Sequence, residues 1–88
     1  MEIRMAGIDS SRAPVGVRER FAMTASAASE AAARACREFG AKGCVLLSTC
    51  NRTELWLSGR ASLEPYELLC ALRGAEPGAH RDCFVRRE

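Results

Sequence analysis

Nine consecutive residues, Leu47-Ser48-Thr49-Cys50-Asn51-Arg52-Thr53-Glu54-Leu55, place a cysteine two positions from an arginine on a short polar connection between two apolar runs. Cysteine acts as a nucleophile when it is reachable and partly thiolate, and a neighbouring cation favours the thiolate. Arg52 is such a cation, and its planar fork also matches a carboxylate in bidentate geometry. The competing use of Arg52 is an ion pair with Glu54 or Glu19. Ser48, Thr49 and Asn51 supply hydroxyl and amide groups for a substrate amine or carbonyl, or equally for the backbone of the turn itself. The chemistry on offer is attack by sulfur beside a guanidinium that can hold an anion.

Other reactive residue types are placed less favourably. Cys36 and Cys70 fall within expected helices and Cys44 and Cys83 within expected strands, where burial as small hydrophobes is the expected role. The five cysteines show no Cys-x-x-Cys spacing, so no metal site is expected, and their odd number leaves one over in any full disulfide scheme. Reduced thiols are expected. His80, the one histidine, lies in a loop that nothing in the sequence brings to Cys50. Trp56 on the following strand is expected to pack. There is no glycine-rich dinucleotide fingerprint, so no Rossmann-type NAD(P) site is expected in this chain.

Hydrophobic periodicity supplies the elements that must position the Cys50 corner. Ile3 and Met5 alternate on a first strand ending at Gly7, and Pro14 introduces a short helix from Val15 to Phe21. Thr24 or Ser26 caps a longer helix to Phe39, whose buried stripe is Ala28, Ala32, Ala35 and Phe39 and whose stop is Gly40. Cys44 to Thr49 reads as a strand with no solvated face, and Thr53 to Ser58 alternates as a half-buried one. A second covering helix runs from Pro65 to Arg73 on Leu68, Leu69 and Leu72, with Gly74 as its stop. Ala75 to Arg81 is expected as loop, and Asp82 to Arg86 as a final strand built on Cys83, Phe84 and Val85.

This order of elements predicts an α+β fold, the ferredoxin-like βαββαβ arrangement: a four-stranded, mainly antiparallel sheet with its helices on one face. One domain, residues 1–88, accommodates the chain. Its formal net charge of +2 does not by itself argue for nucleic acid or a membrane surface, so an RNA partner must be argued from a site. No stretch approaches the roughly 20 apolar residues that span a bilayer, and with no secretory leader pattern the expectation is a cytoplasmic protein without a membrane partner.

Ser48-Thr49-Cys50-Asn51-Arg52-Thr53-Glu54 resembles the signature of the glutamyl-tRNA reductases, and Gly7-Ile8 followed by Ala13-Pro14-Val15 and Val17-Arg18-Glu19 resembles that family's N-terminal segment. The family pattern usually has Asn-His-Lys-Thr where this chain has Asp9-Ser10-Ser11-Arg12, which weakens any role for that loop in substrate contact. The resemblance implies covalent catalysis: Cys50 attacks the ester of glutamyl-tRNA to leave a glutamyl thioester, which NADPH reduces to glutamate-1-semialdehyde at the start of tetrapyrrole (porphyrin) synthesis. It implies Thr49, Cys50, Asn51 and Arg52 as the substrate-binding run, with Arg52 on the glutamate side-chain carboxylate. Family members are several times longer, so the NADPH-binding and dimerisation domains, and with them the expected homodimer, would lie outside this chain, along with a downstream histidine-bearing helix. A piece of this kind is expected to fold without being able to reduce glutamyl-tRNA alone.

The main rival is a small amino-acid-binding or regulatory domain of ferredoxin-like fold, with Arg52 gripping a carboxylate and Cys50 inert. An RNA-recognition module is the third choice, set back by the lack of an aromatic sheet motif.

Overall fold

Alternation along the strands decides which side of the sheet is covered. In the computed structural model, which describes residues 2–87, the strands are β1 (Ile3–Asp9), β2 (Gly43–Ser48), β3 (Arg52–Ser58) and β4 (Val85–Arg87), in the order β2-β3-β1-β4. All three pairings are antiparallel. Registers of Ala6 with Leu55 and of Leu46 with Leu55 put these side chains on one face, where they are buried. Val45, Trp56 and Met5 share the opposite face. The α+β, ferredoxin-like expectation holds, with the helices on one face.

The helices are α1 (Val15–Phe21), α2 (Ala25–Phe39), α3 (Pro65–Arg73) and a short α4 (Pro77–His80). Thr24 caps α2 by accepting the Ala27 amide at 3.1 Å, and Gly40 ends it at φ +74°, a left-handed conformation that glycine adopts without a Cβ clash. Two turns of helix are marginal alone, so α1 depends on tertiary anchoring. Phe21 provides it, fully buried and edge-on to Phe84 and His80 with ring centroids 4.9 and 5.6 Å away.

Several local expectations need correction. β1 continues past Gly7 to Asp9, because its pairing with β3 runs on to Arg52. β2 is shifted back by one residue and is not buried on both sides: Val45 and Leu47 are 55% and 49% exposed, because β2 is an edge strand and the helices cover one face only. Trp56 likewise stands on the open face, its Nε1–H donating to Glu54 at 3.1 Å, and is not core packing. Ala31 joins Ala28 and Ala35 in the buried stripe of α2, while Ala32 and Phe39 are half-buried, and this phase turns Cys36 outward into solvent. The 75–81 loop contains α4, started by Pro77 at its first position. Cys83 lies in a 3₁₀ turn, not in a strand, and β4 begins only at Val85, since Phe84 leaves the ladder to pack edge-on against Phe21 and Tyr66.

Candidate active site

The β2–β3 connection is a tight turn, and its own hydrogen bonds explain why it is short. The Thr49 amide donates to the Arg52 carbonyl at 2.8 Å. The Thr49 Oγ1 accepts the Asn51 and Arg52 amides at 3.2 and 3.3 Å, so this hydroxyl serves the turn backbone. At the base of the turn, Ser48 Oγ accepts the Met23 amide at 2.9 Å and lies 3.1 Å from Thr53 Oγ1, tying the hairpin to the α1–α2 connection.

Two contacts from the N-terminal part of the chain fix the tip. Arg18, on α1, donates from Nε to the Ala13 carbonyl at 3.2 Å and from a terminal guanidinium nitrogen to the Cys50 carbonyl at 3.0 Å. The Ser10 amide donates to the Asn51 carbonyl at 2.9 Å. The Ser10 contact uses backbone only, so the unusual side chains of the first loop do not disturb it. Within that loop, the Ser11 hydroxyl and amide donate to Asp9 and hold its carboxyl below the usual carboxylate range.

Cys50 is exposed at the tip of this braced turn. With Thr49, Arg52, Arg18 and Glu19 it lines a cleft of about 220 Å³ under α1. Arg52 pairs with Glu54 at 3.5 Å, one of the two partners open from the sequence, and both guanidiniums share the cleft with the sulfur. Asn51 does not line it; the turn uses its backbone groups. His80 lies on α4 with its ring against Phe21 and takes no part in lining the cleft. Among the described residues no cluster of His, Cys, Asp and Glu is arranged to hold a metal ion. Sequence reasoning missed Arg18 as a site residue. The available signal was its place in the second family-like segment.

The other thiols provide an internal comparison. Burial, and secondarily Cys36, pushes the half-buried Cys44 up to about 11, and burial also raises Cys70. A thiol with a raised pKa stays protonated, and inert to alkylation, further into the alkaline range. In a timed iodoacetamide pulse at pH 7.5 with peptide mapping, Cys36 and Cys50 should be labelled before Cys44 and Cys70. Cys36 is exposed like Cys50 but lines no such cleft, so the ratio between the two separates activation from access. Cys50 is expected to lead by about threefold or more; equal rates would remove the case for a reactive sulfur at the cleft.

Comparison with known proteins gives this geometry its context. The family model described as glutamyl-tRNAGlu reductase, N-terminal domain, matches residues 6–87. A glutamyl-tRNA reductase from Acetivibrio thermocellus is 43% identical over 72 residues, covering 80% of this chain and 22% of the relative. One from Rubrobacter xylanophilus is 43% identical over 88 residues, covering 96% and 20% respectively. A probable multifunctional siroheme biosynthesis protein HemA from Ruminiclostridium josui is 41% identical over 78 residues, covering 86% and 15%. The chain thus spans roughly a fifth of the length of these curated relatives. With its fold, its cysteine turn and a family match over nearly its whole length, the chain belongs to the glutamyl-tRNA reductase N-terminal domain family.

Proposed function

We propose that this chain is the N-terminal catalytic and substrate-binding domain of a glutamyl-tRNA reductase, in which Cys50 takes the glutamyl group from glutamyl-tRNA as a thioester. The observation that carries this reading is an exposed cysteine at the tip of a turn braced by Arg18 and Ser10, in one cleft with two guanidinium groups. The guanidiniums of Arg18 and Arg52 share that cleft with the sulfur, and the bracing limits the motion that an attacking atom must lose.

The step balances as an acyl transfer. The thiolate attacks the ester carbonyl carbon, and the carbon–sulfur bond forms as a carbonyl electron pair moves onto oxygen. Collapse of that intermediate restores the carbonyl and breaks the bond to the ribose oxygen. This oxygen takes up one proton and leaves as the tRNA hydroxyl, offsetting the proton lost by the thiol. Arg52 holds the glutamate side-chain carboxylate. Its existing pair joins an exposed guanidinium to the half-buried Glu54, whose carboxylate also accepts from the Trp56 indole and so keeps a partner when Arg52 exchanges one carboxylate for another. Thr49 shapes the turn, Asn51 belongs to the substrate-binding run only as the family resemblance implies, and Arg18 acts as a positioning residue through the Cys50 carbonyl.

The resemblance assigns the later reduction to NADPH. The described residues do not fit that cofactor: the sheet is antiparallel throughout, and no glycine-rich turn joins a parallel strand to a helix. In this reading the NADPH-binding and dimerisation domains belong to further protein, in keeping with relatives several times longer, and the product feeds tetrapyrrole synthesis in the cytoplasm. No helix among the described residues is long and apolar enough to cross a membrane.

The test omits the reductant. The protein is mixed with tRNA carrying labelled glutamate, quenched in acid and digested. The label should map to the Cys50 peptide and be released by hydroxylamine, as a thioester is. Glutamate bound but never covalently attached would instead support the ligand-binding rival.

A further inference from the structure

We infer that a second cleft, at the end of the sheet away from Cys50, binds the phosphodiester backbone of RNA. Of the twelve arginines in a chain with a net charge of only +2, Arg4, Arg60, Arg81, Arg86 and Arg87 line this one cleft of about 450 Å³. It is framed by the start of α3, the beginning of β1 and the edge strand β4. The charge balance of the whole molecule conceals this concentration.

The carboxylates present do not cancel it. Of the three that line the cleft, Glu64 is held by Arg4 and Glu67 pairs with Arg81 at 3.1 Å. Only Glu2 remains to face Arg60, Arg86 and Arg87, none of which has a carboxylate partner among the described residues. The floor adds an unsatisfied donor, its charge being paired with Glu64. Arg4 is 7% exposed and donates to the Gly59 carbonyl at 3.2 Å, yet its Nε–H finds no acceptor. Because the Glu64 carboxylate turns to Arg4, it does not cap α3, and the positive end of that helix dipole also meets the cleft.

The geometry selects phosphate over an isolated carboxylate. Arg81 and Arg86 lie over the Tyr66 ring, 5.0 and 5.9 Å from its centroid, which orients two planar forks beside one another. Several exposed guanidiniums lining one cleft suit a repeating anion better than a single charge, because each can engage a separate phosphate. Arg4 pairs with Leu57 in register, and five strand residues, Arg52 to Trp56, separate Leu57 from the Cys50 turn, about 20 Å from Leu57 to Asn51 at strand rise. An RNA whose acylated end sits at Cys50 can therefore place part of its backbone in the cleft. The inference rests on the proposed use of glutamyl-tRNA and extends it to where the polynucleotide is held.

Fluorescence anisotropy with an end-labelled acceptor-stem RNA duplex, across a KCl series, tests it. The wild-type protein is compared with Arg86→Ala/Arg87→Ala, two exposed positions, after thermal unfolding confirms that the variant folds. The variant should bind at least about tenfold more weakly, and the slope of log K against log salt should fall by roughly 1 for each arginine removed. Unchanged affinity and slope would overturn the inference. A parallel titration with inorganic phosphate separates the sources: if the variant loses phosphate binding but keeps RNA binding, the cleft serves a free phosphate and the RNA assignment is wrong. Covalent labelling of wild-type Cys50 is read independently. A labelled Cys50 with unaltered RNA binding in the variant defeats this inference alone, whereas an unlabelled Cys50 with weakened RNA binding defeats the acyl-transfer reading and leaves the cleft standing.

Discussion

Cys50→Ser is expected to lower covalent glutamyl transfer at least about a thousandfold while moving the unfolding midpoint by no more than about 4 °C. The two halves of this expectation have different causes. Serine keeps the size of the side chain, and the turn is closed by Thr49 and by backbone groups of Asn51 and Arg52, none of which involves the sulfur. Arg18 reaches the carbonyl of residue 50, which the substitution retains. The hydroxyl, however, ionises far less readily than a thiol, and no histidine lines the cleft to act as its base. Transfer is measured by acid-quenched labelling with peptide mapping, and stability by circular dichroism. A serine variant that accepted glutamate at more than about a tenth of the wild-type rate would falsify the nucleophile assignment.

Phe21→Ala is expected to cost about 3–5 kcal/mol, a large part of the 5–15 kcal/mol that holds a typical domain together. At roughly 4–8 °C per kcal/mol for a domain of this size, the midpoint should fall by at least about 12 °C. The magnitude follows from where Phe21 sits: fully buried, at the end of a two-turn helix, edge-on to Phe84, which in turn meets Tyr66 at 4.8 Å between centroids. Removing the ring opens a cavity shared by α1, α3 and the approach to β4. Phe21→Leu retains most of the volume and should cost less than about 1.5 kcal/mol. Equal losses for both substitutions would show that ring geometry, not filled volume, is what matters at this position. Since α1 also carries Arg18, the alanine variant should loosen the cysteine turn before global unfolding.

The three longer helices and the order of strands were legible because strong local signals agreed with the tertiary arrangement. Thr24 and Gly40 bound α2, and Gly74 ends α3 at φ +65°, all where capping chemistry places them. β2 was misread for a physical reason: an uncharged run such as Gly43–Ser48 looks the same whether both its faces are covered or one is left open at a sheet edge. The last strand was misplaced because Phe84, apolar and β-prone, packs outside the ladder. At the candidate site, residue type and spacing single out Cys50 and Arg52 but leave Glu54 and Glu19 equally open as partners of Arg52; the structure pairs it with Glu54. Arg18 could be singled out only by its place in the second family-like segment, since its contact with Cys50 crosses 32 residues and exists only once α1 lies against the hairpin. The arginine cleft was invisible for the same reason, its members being spread from position 4 to position 87.

The open face of the sheet also has a spectroscopic consequence. Trp56, the single tryptophan, is 38% exposed there and bonded to Glu54, in company with Val45 on β2. Its indole already meets water in the native protein, so its emission should report loss of the core only weakly. The same indole is well placed to shift in wavelength, or lose accessibility to a quencher such as acrylamide, when another surface covers the face. The chain thus carries an intrinsic fluorophore for assembly, with the folding signal left to the backbone.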